Sequence, residues 1–162
     1  MFQFLLILTT FLCSLVSGLL FAFAVIVMPG IRNLNDKEFI RAFQVIDKVI
    51  QNNQPIFMFV WVGSILFFIA AIVFSFGELN TFSFLILILA LILYLLGVQF
   101  PTLTINIPLN NKIQRLVVDS MNEPELKKAR EEFETKWNKW NVFRSIISSM
   151  TSILLIIILF KM

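Results

Sequence analysis

Four apolar runs, each long enough to cross a bilayer, constrain this chain more than any other feature. They run roughly from Phe4 to Met28, Ile56 to Phe76, Phe82 to Phe100 and Val142 to Phe160. A spanning helix needs about 20 predominantly apolar residues. None of the four carries a charge at its centre, and only Arg144 stands near the start of the fourth. The expected fold is therefore all-α: a four-helix transmembrane bundle, one integral membrane domain over residues 1–162, with amphipathic helical segments on one side of the membrane. Composition agrees, since apolar residues make up 59% of the chain and charged residues 14%, against about 25% charged in a soluble domain. Ala22-Phe23-Ala24 resembles a signal-peptide cleavage site. The run around it lacks a basic start and is far longer than the about 7–15 apolar residues of such a peptide, so it reads as the first span.

The connections are unequal. Gly77-Glu78-Leu79-Asn80 forms a tight turn, whereas Pro29 to Pro55 and Pro101 to Asn141 are long. With four spans, both long connections fall on one side. Of the 13 Lys and Arg, all but Lys161 lie there or at its edge. The positive-inside rule places that side in the cytoplasm and both termini outside, in a plasma or inner membrane. The same basic residues beside apolar spans suit anionic lipid headgroups, so membrane lipids are expected partners and nucleic acid is not.

Within the first long connection Phe39, Phe43, Ile46 and Ile50 recur at helical spacing, with Lys37, Arg41, Asp47 and Lys48 placed off that stripe. In the second, Leu109, Ile113, Leu116 and Val117 suggest a short helix. Asn122-Glu123-Pro124-Glu125 reads as a helix start. From there Leu126, Ala129, Phe133, Trp137 and Trp140 form an apolar stripe that meets no breaker before Phe160, giving a helix of about 55 Å at 1.5 Å per residue. Pro101 and Pro108 lack a backbone N–H, so the third span is expected to end, and the chain to turn, between Gln99 and Leu109. Thr10, Ser14, Gly18 and Ala22 in the first span, and Asn141, Ser145 and Ser149 in the fourth, repeat every four residues and predict close helix contacts. The third span, mostly bulky aliphatic, is expected to face lipid.

The sequence holds no histidine, one cysteine (Cys13), no phosphate-cradling Gly loop and no paired carboxylates within a span. No metal site or catalytic residue is legible. Polar residues gather instead at the basic ends of the spans: Met28-Pro29-Gly30, Asn52 to Pro55, Asn106-x-Pro108-x-Asn110, and Trp137-x-x-Trp140-Asn141-x-x-Arg144. Trp137, Asn141, Arg144, Ser145 and Ser148 share a helix face by spacing. Such residues also cap helices and anchor interfaces. Apolar walls with a few fixed amides equally describe a small-molecule pocket. The candidate ligand-binding residues are Asn106, Asn110, Trp137, Trp140, Asn141 and Arg144, with Tyr94, whose hydroxyl needs a partner inside the third span.

The order Met28-Pro29-Gly30, Asn106-Ile107-Pro108-Leu109-Asn110 and Trp137-Asn138-Lys139-Trp140-Asn141-Val142-Phe143-Arg144 resembles the anthrone oxygenase-like family of small four-span membrane proteins. The resemblance implies a small aromatic or quinone-like ligand. It also implies oxidation of an anthrone to an anthraquinone by molecular oxygen, with no cofactor. Such oxidation begins by removing a proton from an activated carbon, for which histidine is the natural base. Asn, Trp and Arg can stabilise an enolate oxygen but are poor bases. A non-enzymatic membrane scaffold or lipid-binding protein is the alternative. A small-multidrug-type transporter is disfavoured, because no span holds a central acid.

Overall fold

The computed structural model describes residues 1–162. It contains no strand. Five long helices account for nearly all of it: α1 (Phe2–Ile31), α2 (Asp36–Gln51), α3 (Pro55–Val73), α4 (Thr81–Gln114) and α5 (Glu123–Phe160). All except α2 are long and apolar enough to cross a membrane, and their outward faces are greasy: Phe11, Leu66, Leu85, Leu96 and Ile153 are all exposed. The protein is a four-helix transmembrane bundle with one amphipathic helix laid on it.

Helix starts follow capping chemistry. The side chains of Asn35, Asn80 and Asn122 each accept a backbone N–H three residues on, satisfying one of the orphan donors of a first turn. At α5 the pairing is reciprocal, because Glu125 also accepts from the Asn122 N–H. The helix then runs unbroken for 38 residues. The tight turn between α3 and α4 is present, with Gly77 at φ +82°. The helix before it ends at Val73 rather than Phe76.

The third span does not end at its prolines. It continues through Pro101 and Pro108 to Gln114, contrary to the turn expected between Gln99 and Leu109. Widened π-turns explain this. Leu95–Gln99 closes on a bond from the Phe100 N–H to the Leu95 carbonyl. Thr102–Asn106 closes on one from Ile107 to Thr102. The first span does likewise ahead of Pro29, where the Met28 N–H reaches the Phe23 carbonyl. In each case the residue just before a proline bonds five residues back. The wider turn moves aside the carbonyl that the ring would otherwise strike.

α1 packs along both α3 and α5, and α4 packs along α5, while α3 and α4 meet only sparingly. Two apolar cores result. The intramembrane core includes Leu6, Cys13, Val16, Phe68, Leu87, Tyr94, Val98 and Leu155. The second lies at the basic end, where Phe39, Ile40 and Phe43 of α2 pack on Met28, Ile113, Phe133 and Trp137. Its rings meet edge to face, with Phe43 4.5 Å from Phe133 and 5.4 Å from Trp137. Arg130 fastens the α1–α2 loop over this core. It donates to the carbonyls of Leu34 and Arg32, pairs with Asp36 and Glu134, and stacks on Phe39.

Only one of the two small-residue stripes packs as expected. Asn141, Ser145, Ser148 and Ser152 are buried, and the Ser149 hydroxyl lies 2.9 Å from that of Ser17 on α1. In α1, however, Ser14 and Gly18 face outward. The buried residues are Phe2, Leu6, Thr9, Thr10, Leu12, Cys13, Val16, Ser17 and Leu20, so that of the expected stripe only Thr10 is buried. The third span is lipid-facing only in part. Gly97 lies hard against Ile147 of α5.

Candidate functional site

The residues that follow the third span fold into a polar row. Thr102, Asn106, Asn110 and Gln114 recur every four residues along the basic end of α4, and each is buried or half-buried. Their partners lie on other helices. The Asn106 amide donates to the Trp137 carbonyl at 3.4 Å. The Asn110 carbonyl accepts from the Trp137 indole N–H at 2.7 Å, and its amide donates to the Asp47 carboxylate at 2.7 Å. Gln114 donates to the Gln44 carbonyl and to Asp47, both at 2.9 Å.

Thr102, Asn106 and Asn110 of this row line a cavity of about 380 Å³ at the seam between the two cores. Leu19, Leu20 and Phe23 of α1 and Phe57, Met58 and Trp61 of α3 supply apolar walls. α2 roofs it with Phe43, Asp47, Ile50 and Gln51, and α5 adds Trp137, Asn141 and Arg144. Lining residues Met58, Leu103 and Ile107 are also exposed on the outer surface. They mark the side where α3 and α4 stand apart and the cavity approaches lipid. A second hollow, of about 270 Å³, lies between α4 and α5 nearer the aqueous end. There Lys112 and Glu132 already pair with each other at 2.5 Å.

Arg144 is 3% exposed. Nη1 donates to the Thr102 hydroxyl at 2.7 Å, and Nη2 to the Asn141 carbonyl oxygen at 3.0 Å. Both acceptors are committed elsewhere as donors, Thr102 to the Val98 carbonyl and Asn141 to the Leu20 carbonyl. That fixes the guanidinium. No carboxylate pairs with it, and its Nε–H has no partner. The Asn106 side-chain oxygen is likewise buried and unpartnered. A buried unmatched donor or acceptor costs about 1–3 kcal/mol. The site thus presents two buried polar atoms without any partner, Arg144 Nε and the Asn106 side-chain oxygen.

Asp47 is also 3% exposed. Three amide N–H groups hold it: Asn110 on Oδ1, and Gln51 (2.8 Å) and Gln114 on Oδ2. It forms no ion pair with Lys or Arg. The sequence reading placed Asp47 on the wet side of its helix, and the structure reverses this. Asp47 continues the row Phe39–Phe43–Asp47 at intervals of four. The signal was present, but charge was read as exposure.

Of the residues expected at a ligand site, Asn106, Asn110, Trp137, Asn141 and Arg144 come together around one cavity. Trp140 and Tyr94 are not on its wall. Trp140 packs edge-on against Phe143 at 5.5 Å. Tyr94 is fully buried in the intramembrane core, its hydroxyl 2.6 Å from that of Ser64 on α3. Asp47, Gln51, Asn111, Thr102 and Trp61 are among the lining residues that the sequence pattern did not single out. Three or more Cys, Asp or Glu side chains placed to hold a metal ion occur nowhere in the chain.

Fold and site together define a four-span membrane protein with a partly polar cavity sunk into the basic end of its bundle. Residues 49–154 match the family described as anthrone oxygenase. That stretch is about two thirds of the chain, and the protein belongs to this family. The matched stretch contains the polar row, Trp137, Asn141 and Arg144, and begins two residues after Asp47. No curated protein and no solved structure matches the chain.

Proposed function

We propose that the cavity binds a small planar aromatic molecule carrying a carbonyl or phenolic oxygen, and that the protein oxidises such a molecule with molecular oxygen, as its family's description suggests. The observation that carries the binding reading is Arg144. It is a buried, immobilised guanidinium without a carboxylate, on the wall of an apolar cavity inside a membrane span. A cation there is costly unless something matches it. A phenolate or enolate oxygen would take the free Nε–H, and an adjacent hydroxyl would satisfy the Asn106 oxygen. Trp61, Trp137 and Phe23 line the cavity and would supply aromatic contacts to the body of the ligand. For an anthrone the overall change is a ring CH₂ becoming C=O, with dioxygen consumed and water released. The ligand would arrive through the bilayer, on the side where α3 and α4 part.

Tryptophan quenching by anthraquinone tests this in protein purified in nanodiscs, since two of the three tryptophans line the cavity. Lysine in place of Arg144 keeps the charge but loses the planar fork of donors. Arg144→Lys and Arg144→Gln are expected to fold and to bind about ten- to a hundredfold more weakly, since a hydrogen bond to a charged group contributes about 1.5–3 kcal/mol. Wild-type affinity in both variants would remove Arg144 from the site. Co-purifying phospholipid that anthraquinone cannot displace would favour the lipid-binding alternative.

A further inference from the structure

Oxidation of an aromatic carbon acid starts with loss of a proton from carbon, and neither a guanidinium nor an amide takes one up at neutral pH. With no histidine in the chain, the acceptor must be of another kind. We propose that Asp47 is the proton acceptor of this site, taking the C–H proton that the oxidation proposed above requires its substrate to lose. The inference rests on the binding reading above and adds the group that makes the ligand reactive.

Three features of Asp47 support the role. First, it lies on the cavity wall with Arg144, yet the two are not paired. An anion and a cation, each held by neutral groups, face one cavity. Second, a carboxylate offers about four acceptor positions, and amides occupy three of them, one on Oδ1 and two on Oδ2. One position on Oδ1 remains. Third, the spacing suits the chemistry. Arg144 is bound to Thr102 and Asp47 to Asn110, anchors eight residues apart on α4, and because five of those residues form the widened Thr102–Asn106 turn the anchors are offset along the axis by less than about 12 Å. A carbonyl oxygen and the carbon opposite it across a six-membered ring are ~4 Å apart, and two contacts of about 3 Å bring the span to ~10 Å.

In the step, Asp47 accepts the proton from the ring methylene. The C–H bonding pair moves through the ring onto the carbonyl oxygen, giving an enolate beside Arg144 and a neutral carboxylic acid at Asp47. No electron acceptor is consumed. Reaction of the enolate carbon with dioxygen follows as a separate event. The amides of Asn110, Gln51 and Gln114 act as positioning groups that aim the carboxylate.

Anaerobic hydrogen–deuterium exchange isolates this step from oxidation. Full-length protein in nanodiscs is incubated with anthrone in D₂O, and deuterium at the ring methylene is read by mass spectrometry. Wild-type protein is expected to accelerate exchange about a hundredfold or more over empty nanodiscs. Asp47→Asn should fall to the empty-nanodisc rate at anthrone concentrations that saturate its binding, saturation being read by tryptophan quenching. Asp47→Glu, which restores a carboxylate one methylene further out, should recover part of the rate. Wild-type acceleration persisting in Asp47→Asn overturns the inference and leaves the binding reading standing. Wild-type protein that binds anthraquinone but exchanges anthrone no faster than empty nanodiscs also overturns it, without recourse to any variant. If anthraquinone does not bind the wild type, the binding reading and this inference fall together.

Discussion

Gly97 shows what one residue decides in this bundle. It sits in the first π-turn of α4, where a β-carbon would lie 2.5 Å from Ile147 Cγ2, 3.2 Å from its Cβ and 3.3 Å from its Cγ1. Three contacts on one β-branched side chain cannot be relieved by a rotamer change, because χ1 of isoleucine in a helix is nearly fixed. Gly97→Ala should therefore push α4 off α5 and lower stability by about 1–3 kcal/mol, read as a reduced thermal midpoint in detergent. Ile147→Ala in the same background should recover much of the loss, since the two positions share one contact. Wild-type stability in the single variant would show that the helices separate freely. At this same scale Arg144 and Asp47 are alike. Each is a charge buried without a countercharge and held by amides or hydroxyls, which makes them the two chemically distinctive side chains of the molecule.

At the scale of elements, the three π-turns and the α2 roof shape the site. Each π-turn precedes a proline, and Phe23, Thr102 and Asn106, all within these turns, line the cavity. The prolines thus reshape helices where a reading of isolated breakers would end them. The roof is held at its rim by charge. Asp119, in the short turn before α5, pairs with Lys37 and Arg41 of α2, and these two cations, Lys37 first, hold its carboxyl below the ordinary range. Lys112 does the same for Glu132 between α4 and α5. A carboxylate whose folded pKa is depressed contributes stability that is complete above the usual carboxylate range and lost as pH falls through it. Both pairs are exposed, so each contribution is small and screened by salt. Protection of α2 backbone amides relative to their intrinsic exchange rate, which itself falls on acidification, should therefore decrease as pH falls through the carboxylate range while protection in the intramembrane helices stays high. Asp119→Asn should show the lower α2 protection already at neutral pH. Equal protection of α2 in both proteins at all pH values would mean that Phe39, Phe43 and Arg130 hold the roof without help.

Across the whole molecule, charge is polarised. Nearly every Lys and Arg lies at the α2 end, with Lys161 alone at the other. We infer that the α2 end is cytoplasmic and both termini are outside, because basic residues near span ends resist translocation. Ser120 lies exposed at that end, whereas Cys13 is buried in the bundle. Ser120→Cys in a Cys13→Ser background should react with an impermeant thiol reagent only after the membrane is opened. Labelling in intact cells would invert the topology.

The long apolar runs, the Asn122-led start of α5 and its unbroken 38-residue course were legible in the sequence because each depends on local composition and on backbone groups a few residues apart. Five of the seven residues expected at the site also came together, since their spacing on α4 and α5 fixes a common face. The orientation of α1 was not legible, nor the passage of α4 through two prolines, nor the burial of Asp47. Each is settled by a partner distant in sequence: bulky side chains filling the core between α1, α3 and α5, turns widened to clear a ring, and three amides, two of them more than sixty residues away. A buried carboxylate is tolerable only when such donors surround it, and no stretch of α2 taken alone reveals that they do.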